Sequence, residues 1–186
     1  MKGLLLISGG FDSCVAGYLM KKQGLELEAV HFSYEPFTNN GPEIKSKEGC
    51  KILGISNIKV INIGNECKNI AEKCLRPLYY VLTKRLMMKK AEETALQNKC
   101  DFLITGEALA QVGSQTLSNL KTIDASVKIT ILRPLIGFDK EEIIKLAKEI
   151  RTYDISIGPE VCDVLGPKHP STASSIEDVE KEEAKL

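Results

Sequence analysis

The sequence predicts an α/β fold, a Rossmann-like parallel sheet of about five strands with helices on both faces. Short apolar runs alternate about five times with stretches of helical periodicity, the pattern of strands joined by crossover helices. The first run, Gly3–Ile7, is apolar throughout, as suits a strand covered on both faces. A turn with two glycines follows it at once, before the first helical pattern.

Each element has its own signal. Ser13–Lys22 carries apolar residues at helical spacing, Val15 and Leu19 among them, and ends near Gly24. Leu27–Phe32 reads as the second strand. Tyr34–Pro42 holds two prolines, two asparagines and a glycine and reads as a loop. Glu43–Leu53 reads as a helix stopped by Gly54, and Lys59–Ile63 as the third strand. A helical stretch from about Glu66 to Lys99 is expected to break at Pro77. Asp101–Thr105 is the fourth strand, opening into Gly106, and Ala108–Leu120 a helix or helix-rich loop. Ile129–Leu132 is the fifth strand, stopped by Arg133-Pro134. Asp139–Ile150 is an amphipathic helix, with Asp139 as N-cap and Glu142 at the capping-box position. Ile155–Pro170 is irregular. Residues 1–170 are expected to form one domain, and Ser171–Leu186 a charged tail, either a surface helix or frayed.

Composition narrows the class. The 186 residues carry 25 Lys and Arg against 25 Asp and Glu, so a generic nucleic-acid coat is excluded and any nucleic-acid contact needs a local patch or a partner. With 43% hydrophobic residues, wholesale disorder is excluded too. Six cysteines (14, 50, 67, 74, 100 and 162) include no C-x-x-C pair and point to a reducing compartment. The N-terminal apolar run stops at Ser8 before a signal h-region can form, and no run approaches the ~20 residues of a membrane span. A cytoplasmic protein with no membrane contact is expected.

In a parallel sheet, ligands bind beyond the carboxyl ends of the strands. That directs attention to Ser8–Ser13, His31–Pro36, Gly64–Glu66, Gly106–Gln115 and Arg133–Lys140. In Ser8-Gly9-Gly10-Phe11-Asp12-Ser13, two glycines allow successive N–H groups to face one anion at a helix N-terminus. Ser8 and Ser13 add hydroxyls. Asp12 would repel phosphate unless a cation intervened, which implies Mg²⁺ between Asp12 and a pyrophosphate. No Walker lysine follows the turn. The bland reading of the hexapeptide is a strand–turn–helix with Asp12 as a cap. Lys84, Arg85, Lys89 and Lys90 form a basic cluster, expected to turn Lys84 inward and the others outward. Cys14 and Cys100 read as core. Cys67 and Cys74, seven apart, stay open between packing, a redox pair and cluster ligands.

The motif Ser-Gly-Gly-x-Asp-Ser after an N-terminal strand resembles the signature of the PP-loop ATP pyrophosphatases, of the adenine nucleotide alpha hydrolase fold. Three longer segments, Lys84–Met88, Thr105–Leu120 and Leu132–Ile144, resemble the tRNA 4-thiouridine synthetases, the ThiI-type tRNA sulfurtransferases. The likeness runs from Met1 to about Pro170 and implies an enzyme using ATP and Mg²⁺. Such an enzyme adenylates a tRNA uridine (position 8 in that family), releases pyrophosphate, and replaces O4 with sulfur from a persulfide. By the same resemblance Leu6 and Ile7 line the nucleotide pocket, and Ser8, Gly9, Gly10, Asp12 and Ser13 form the phosphate loop. His31 and Phe32 lie near the adenine, and Lys84, Gly106 and Gln115 make further nucleotide contacts. Asp12 and Lys140 serve catalysis, and Cys162 handles sulfur.

The phosphate loop begins at residue 8, so a stand-alone catalytic domain without THUMP or rhodanese regions is expected. It would reach tRNA through a separate THUMP protein or as a homodimer, and take sulfur from an external donor such as a cysteine desulfurase. Two alternatives remain: a PP-loop enzyme adenylating a small molecule for thiolation or amide formation, and a nucleotide-binding subunit of a THUMP-containing complex.

Overall fold

A computed structural model describes residues 1–109, 111, 113–157 and 165–186. The elements run β1 (Lys2–Leu6), α1 (Phe11–Lys22), β2 (Glu26–Ser33), α2 (Gly41–Ile52), β3 (Ile58–Asn62), α3 (Gly64–Lys73), α4 (Tyr79–Gln97), β4 (Phe102–Ile104), α5 (Leu117–Asp124), β5 (Thr130–Leu132), α6 (Lys140–Glu149), α7 (Tyr153–Ser156) and α8 (Ile176–Glu183). Short 3-10 turns precede α4 (Arg76–Leu78) and α5 (Gly113–Gln115). All five strands are parallel, in the order β3-β2-β1-β4-β5. The order reverses at β1, so the loops after β1 and β4 diverge there and leave a crevice.

The pleat of β1 divides the core. Leu4 points to the face covered by α3, α4, α5 and α8, and Leu5 to the face covered by α1, α2 and α6. Both are 0% exposed, and truncating either to Ala is worth about 3 kcal/mol of stability. Helix ends follow local chemistry. Pro42 lies in the first turn of α2, where its missing N–H costs nothing, so the helix starts within the segment that reads as loop. Asp139 caps α6 in a full capping box with Glu142. The long helical stretch breaks earlier than Pro77: Cys74 is already extended, and α4 starts only at Tyr79.

The C-terminal segment forms a helix, and Val179 on α8 is 0% exposed in the core. Arg85 departs from the sequence reading. It is 2% exposed and donates from Nε and Nη2 to Glu183 at 2.8 and 2.9 Å and from Nη1 to the Thr122 carbonyl at 2.6 Å. Cys14, Cys50, Cys67, Cys74 and Cys100 are buried. Burial pushes the Cys14 thiol up to about 12 and that of Cys50 up to about 11, as packing residues require. Among the described residues, no helix is long and apolar enough to cross a membrane.

Candidate functional site

The crevice at the carboxyl ends of β1, β2 and β4 is a cleft of about 340 Å³. Leu6, Ile7, Ser8, Asp12, Ser13, His31, Phe32, Lys84, Gly106 and Gln115 all line it. Ten positions scattered over a hundred residues thus meet in one place. Gly9 and Gly10 shape the loop beneath it. Lys140 reaches the site through Asp12. Cys162 lies outside the described residues.

The loop is held in an open form. Gly9 has φ +81°, and a Cβ there would come within 2.8 Å of the Pro42 carbonyl, so only glycine suits the turn. The Ser8 N–H donates to Ser13 Oγ at 3.2 Å, and Ser13 Oγ donates to the Gly10 carbonyl at 2.9 Å. Gly10 caps α1 without any side-chain hydrogen bond, leaving first-turn N–H groups for a ligand. Gly106 closes the other wall. A Cβ on it would lie 2.7 Å from the Asp12 carbonyl carbon and the Ser13 nitrogen, so the absence of a side chain lets the loop after β4 seat against the first turn of α1.

Charges sit in two sets. At the rim, Lys140 Nζ lies 3.0 and 3.1 Å from the Asp12 carboxylate oxygens and 4.4 Å from the Phe11 ring centroid. The α6 capping box fixes the backbone from which Lys140 projects. Deeper, Glu107 is 2% exposed. Its Oε2 accepts from Thr105 Oγ1 at 3.0 Å and from Arg133 Nε at 2.9 Å. Its Oε1 faces Lys84 Nζ at 3.4 Å, outside hydrogen-bonding geometry. Burial alone would raise the Glu107 carboxyl; Lys84 and Arg133 outweigh it and hold the group below the usual glutamate range. Arg133 in turn donates to Asp124 at 3.1 and 2.6 Å.

His31 is 3% exposed, and burial lowers its pKa, so the ring is neutral. Nδ1 lies 2.9 Å from the Ile7 carbonyl and 2.9 Å from Ser46 Oγ. A carbonyl only accepts, so the proton belongs on Nδ1 and Nε2 keeps a lone pair. Gln115 Oε1, like Glu107 Oε1, is a buried acceptor without a hydrogen bond among the described residues. Apolar walls from Leu6 and Phe32, with Tyr34, Tyr80 and Met87, suit a flat ring.

For a cation, the oxygens of Asp12, Ser8 and Ser13 are hard ligands in too small a number to cage a metal. Among the described residues no group of three or more His, Cys, Asp or Glu converges. One carboxylate plus ligand phosphates is the usual Mg²⁺ arrangement, so the site fits Mg²⁺ carried in on a polyphosphate.

Sequence reasoning passed over Glu107 as a site residue, and with it Arg133. The two are 26 residues apart and meet only through β4–β5 pairing. A glutamate three residues past a buried strand is the one local signal.

A family model described as "Thiamine biosynthesis protein (ThiI)" matches residues 1–186. A probable tRNA sulfurtransferase of Alkaliphilus oremlandii is 43% identical over 191 residues, covering 100% of this chain and 49% of that protein. One from Caldanaerobacter subterraneus subsp. tengcongensis is 42% identical over 191 residues, covering 100% and 50%. The chain spans about half the length of the curated relatives it matches. Among solved structures, a crystal structure of a 4-thiouridine synthetase–RNA complex with bound ATP aligns at TM-score 0.94 and 35% identity, over 100% of this chain and 50% of that one. An NMN synthetase from Francisella tularensis, at TM-score 0.67 and 17% identity over 99% of this chain and 77% of that one, shares the fold.

Proposed function

The chain belongs to the ThiI family, and from that premise we propose that it is the ATP-using unit of a tRNA sulfurtransferase, converting a tRNA uridine to 4-thiouridine. The observation that supports this most is the cleft itself. An uncapped helix N-terminus, a glycine turn, a carboxylate and an apolar slot stand together there, and the 4-thiouridine synthetase structure that aligns at TM-score 0.94 is described as having bound ATP.

Mg-ATP docks with its phosphates on Ser8–Ser13 and its base between Leu6, Phe32 and the walls near His31. Asp12 would hold a Mg²⁺ ion bound with the phosphates, and the ion would offset their negative charge. Uridine O4 attacks the α-phosphorus, the bond to the bridging oxygen breaks, pyrophosphate leaves and the N3 proton passes to solvent. Lys140, 3.0 Å from Asp12, stabilises charge on the transferring phosphoryl group and the departing pyrophosphate. The terminal sulfur of a persulfide, from an external donor such as a cysteine desulfurase, then attacks C4, and AMP leaves. Cys162 either carries that sulfur, leaving a C4–S–S–Cys162 disulfide for an external thiol to open, or attacks the donor's C4–S–S disulfide to free the thiouridine and is left bonded to the donor sulfur. The tRNA is held through a THUMP-bearing partner or by a homodimer, since the chain's net charge is zero.

The test is pyrophosphate release from ATP and Mg²⁺, with and without unmodified tRNA, in the native protein and in Cys162→Ala. Stimulation by tRNA that persists in Cys162→Ala supports tRNA adenylation and puts Cys162 in the later sulfur step. Release driven by a small acceptor instead, or no release even with a THUMP protein added, sinks the reading.

A further inference from the structure

Among the groups at the cleft, Glu107 has no assigned role, and its geometry is unusual. It is a buried carboxylate with one oxygen satisfied and the other not. Thr105 and Arg133 clamp Oε2 at 3.0 and 2.9 Å. Arg133 is itself fixed by two bonds to Asp124. The carboxylate plane is therefore set from behind, and Oε1 is buried toward Lys84 without a hydrogen bond. Facing it at 3.4 Å is Lys84, whose side chain is 32% exposed. A lysine on a four-carbon stem loses much rotamer freedom when held at one point. An anion fixed in the wall chooses that rotamer before a ligand arrives. Because the contact stops short of a hydrogen bond, the ammonium keeps its donors for the ligand.

We propose that Glu107 is a positioning residue: its clamped carboxylate holds the Lys84 ammonium at the cleft wall, ready for the incoming nucleotide. This rests on the reading that the cleft takes ATP. Removing the carboxylate makes the cleft wall more positive, which by itself favours an anionic ligand. It also frees Lys84 to turn into solvent, and that loss dominates.

The experiment is a titration of the full chain with a non-hydrolysable ATP analogue, combined with thermal melting, on four proteins: native, Glu107→Gln, Lys84→Met and the double variant. Glu107→Gln should weaken binding about tenfold in the native background and less than about twofold in the Lys84→Met background, since the two act as one unit. Glu107→Asp, which keeps the charge on a shorter arm, should recover part of the affinity, and it carries the test if Glu107→Gln does not fold. Unchanged or tighter binding by Glu107→Gln overturns the proposal. So does an equal loss in both backgrounds, which would mean that Glu107 shapes the pocket without acting through Lys84. A native protein that does not bind the analogue is a different failure: it brings down the ATP reading, and this inference with it.

Discussion

Lys84 and Arg85 are neighbours on α4, and each meets a glutamate. Their pairings differ in completeness. Arg85 is 2% exposed and makes three hydrogen bonds of 2.6 to 2.9 Å, to Glu183 and to the Thr122 carbonyl. Lys84 is 32% exposed and stands 3.4 Å from Glu107 with no hydrogen bond between them. A finished pair joins α4, α5 and α8 and has nothing left for a ligand. An unfinished pair in a cleft has capacity in reserve. Both glutamates carry the same charge and face a cation on the same helix; the number of satisfied donors separates structure from site.

The sharpest way to break this contrast is Arg85→Met. Removing one partner leaves Glu183 partly buried without its main cation and strands the Thr122 carbonyl. A loss of about 3 kcal/mol is expected, which for a chain of this length lowers Tm by roughly 10 °C. Nucleotide affinity of the folded protein should stay unchanged. A melt within about 2 °C of the native protein would show that the pair is no more structural than Lys84–Glu107.

Next in size is Lys140→Met. The Asp12–Lys140 pair is hydrogen-bonded but exposed, with side chains 36% and 47% exposed, so its contribution to stability is under about 1 kcal/mol. Its loss should instead cost turnover, about 100-fold in pyrophosphate release, at nearly constant Tm. A large fall in Tm with turnover intact would reverse the roles of the two kinds of pair.

These contacts also explain what the sequence discloses. The phosphate loop is legible because its six residues are contiguous and its glycines and hydroxyls act locally. The sheet is legible because Gly3–Ile7 and its successors carry their burial in their own composition. The basic cluster is legible only in part: Lys84 lines the cleft as expected, but Arg85 does not turn outward. Lys84 and Arg85 look alike in a row of cations, and only a partner 98 residues away makes Arg85 the buried one. Glu107 is hidden for the same reason, because the cation that clamps it, Arg133, follows β5 and is 26 residues away. Pro42 misleads in a milder way, since a proline that ends one loop also begins a helix.

Acid gives a third, smaller test. Burial tends to raise Glu183, but hydrogen bonds from Arg85 and Lys89 hold it below the usual range; Lys84 and Arg133 do the same for Glu107. A carboxylate with a depressed folded-state pKa stabilises the fold above its unfolded value and loses that contribution as pH falls through the folded value. His31, lowered by burial, behaves likewise around its own range. Tm should therefore begin a shallow decline below about pH 6.5 and a steeper one below about pH 4.3. His31→Gln should remove the first stage and leave the second. A Tm that rose on acidification would contradict both assignments.

The smallest expected effect is the most discriminating. Lys89 shares Glu183 with Arg85, at 2.9 Å, but is 44% exposed. Both cations touch one carboxylate at similar distances, so distance alone predicts similar losses. Desolvation predicts otherwise. The exposed ammonium exchanges its contact for water at little cost, and salt screens what remains. Lys89→Ala should lower stability by less than about 1 kcal/mol, and the difference should vanish in high salt. The Arg85→Met loss should survive there, because its cause is stranded buried groups. If Lys89→Ala cost as much as Arg85→Met, Coulomb attraction to Glu183 would outweigh desolvation at both cations. The distinction between finished and unfinished pairs on α4 would then lose its physical basis.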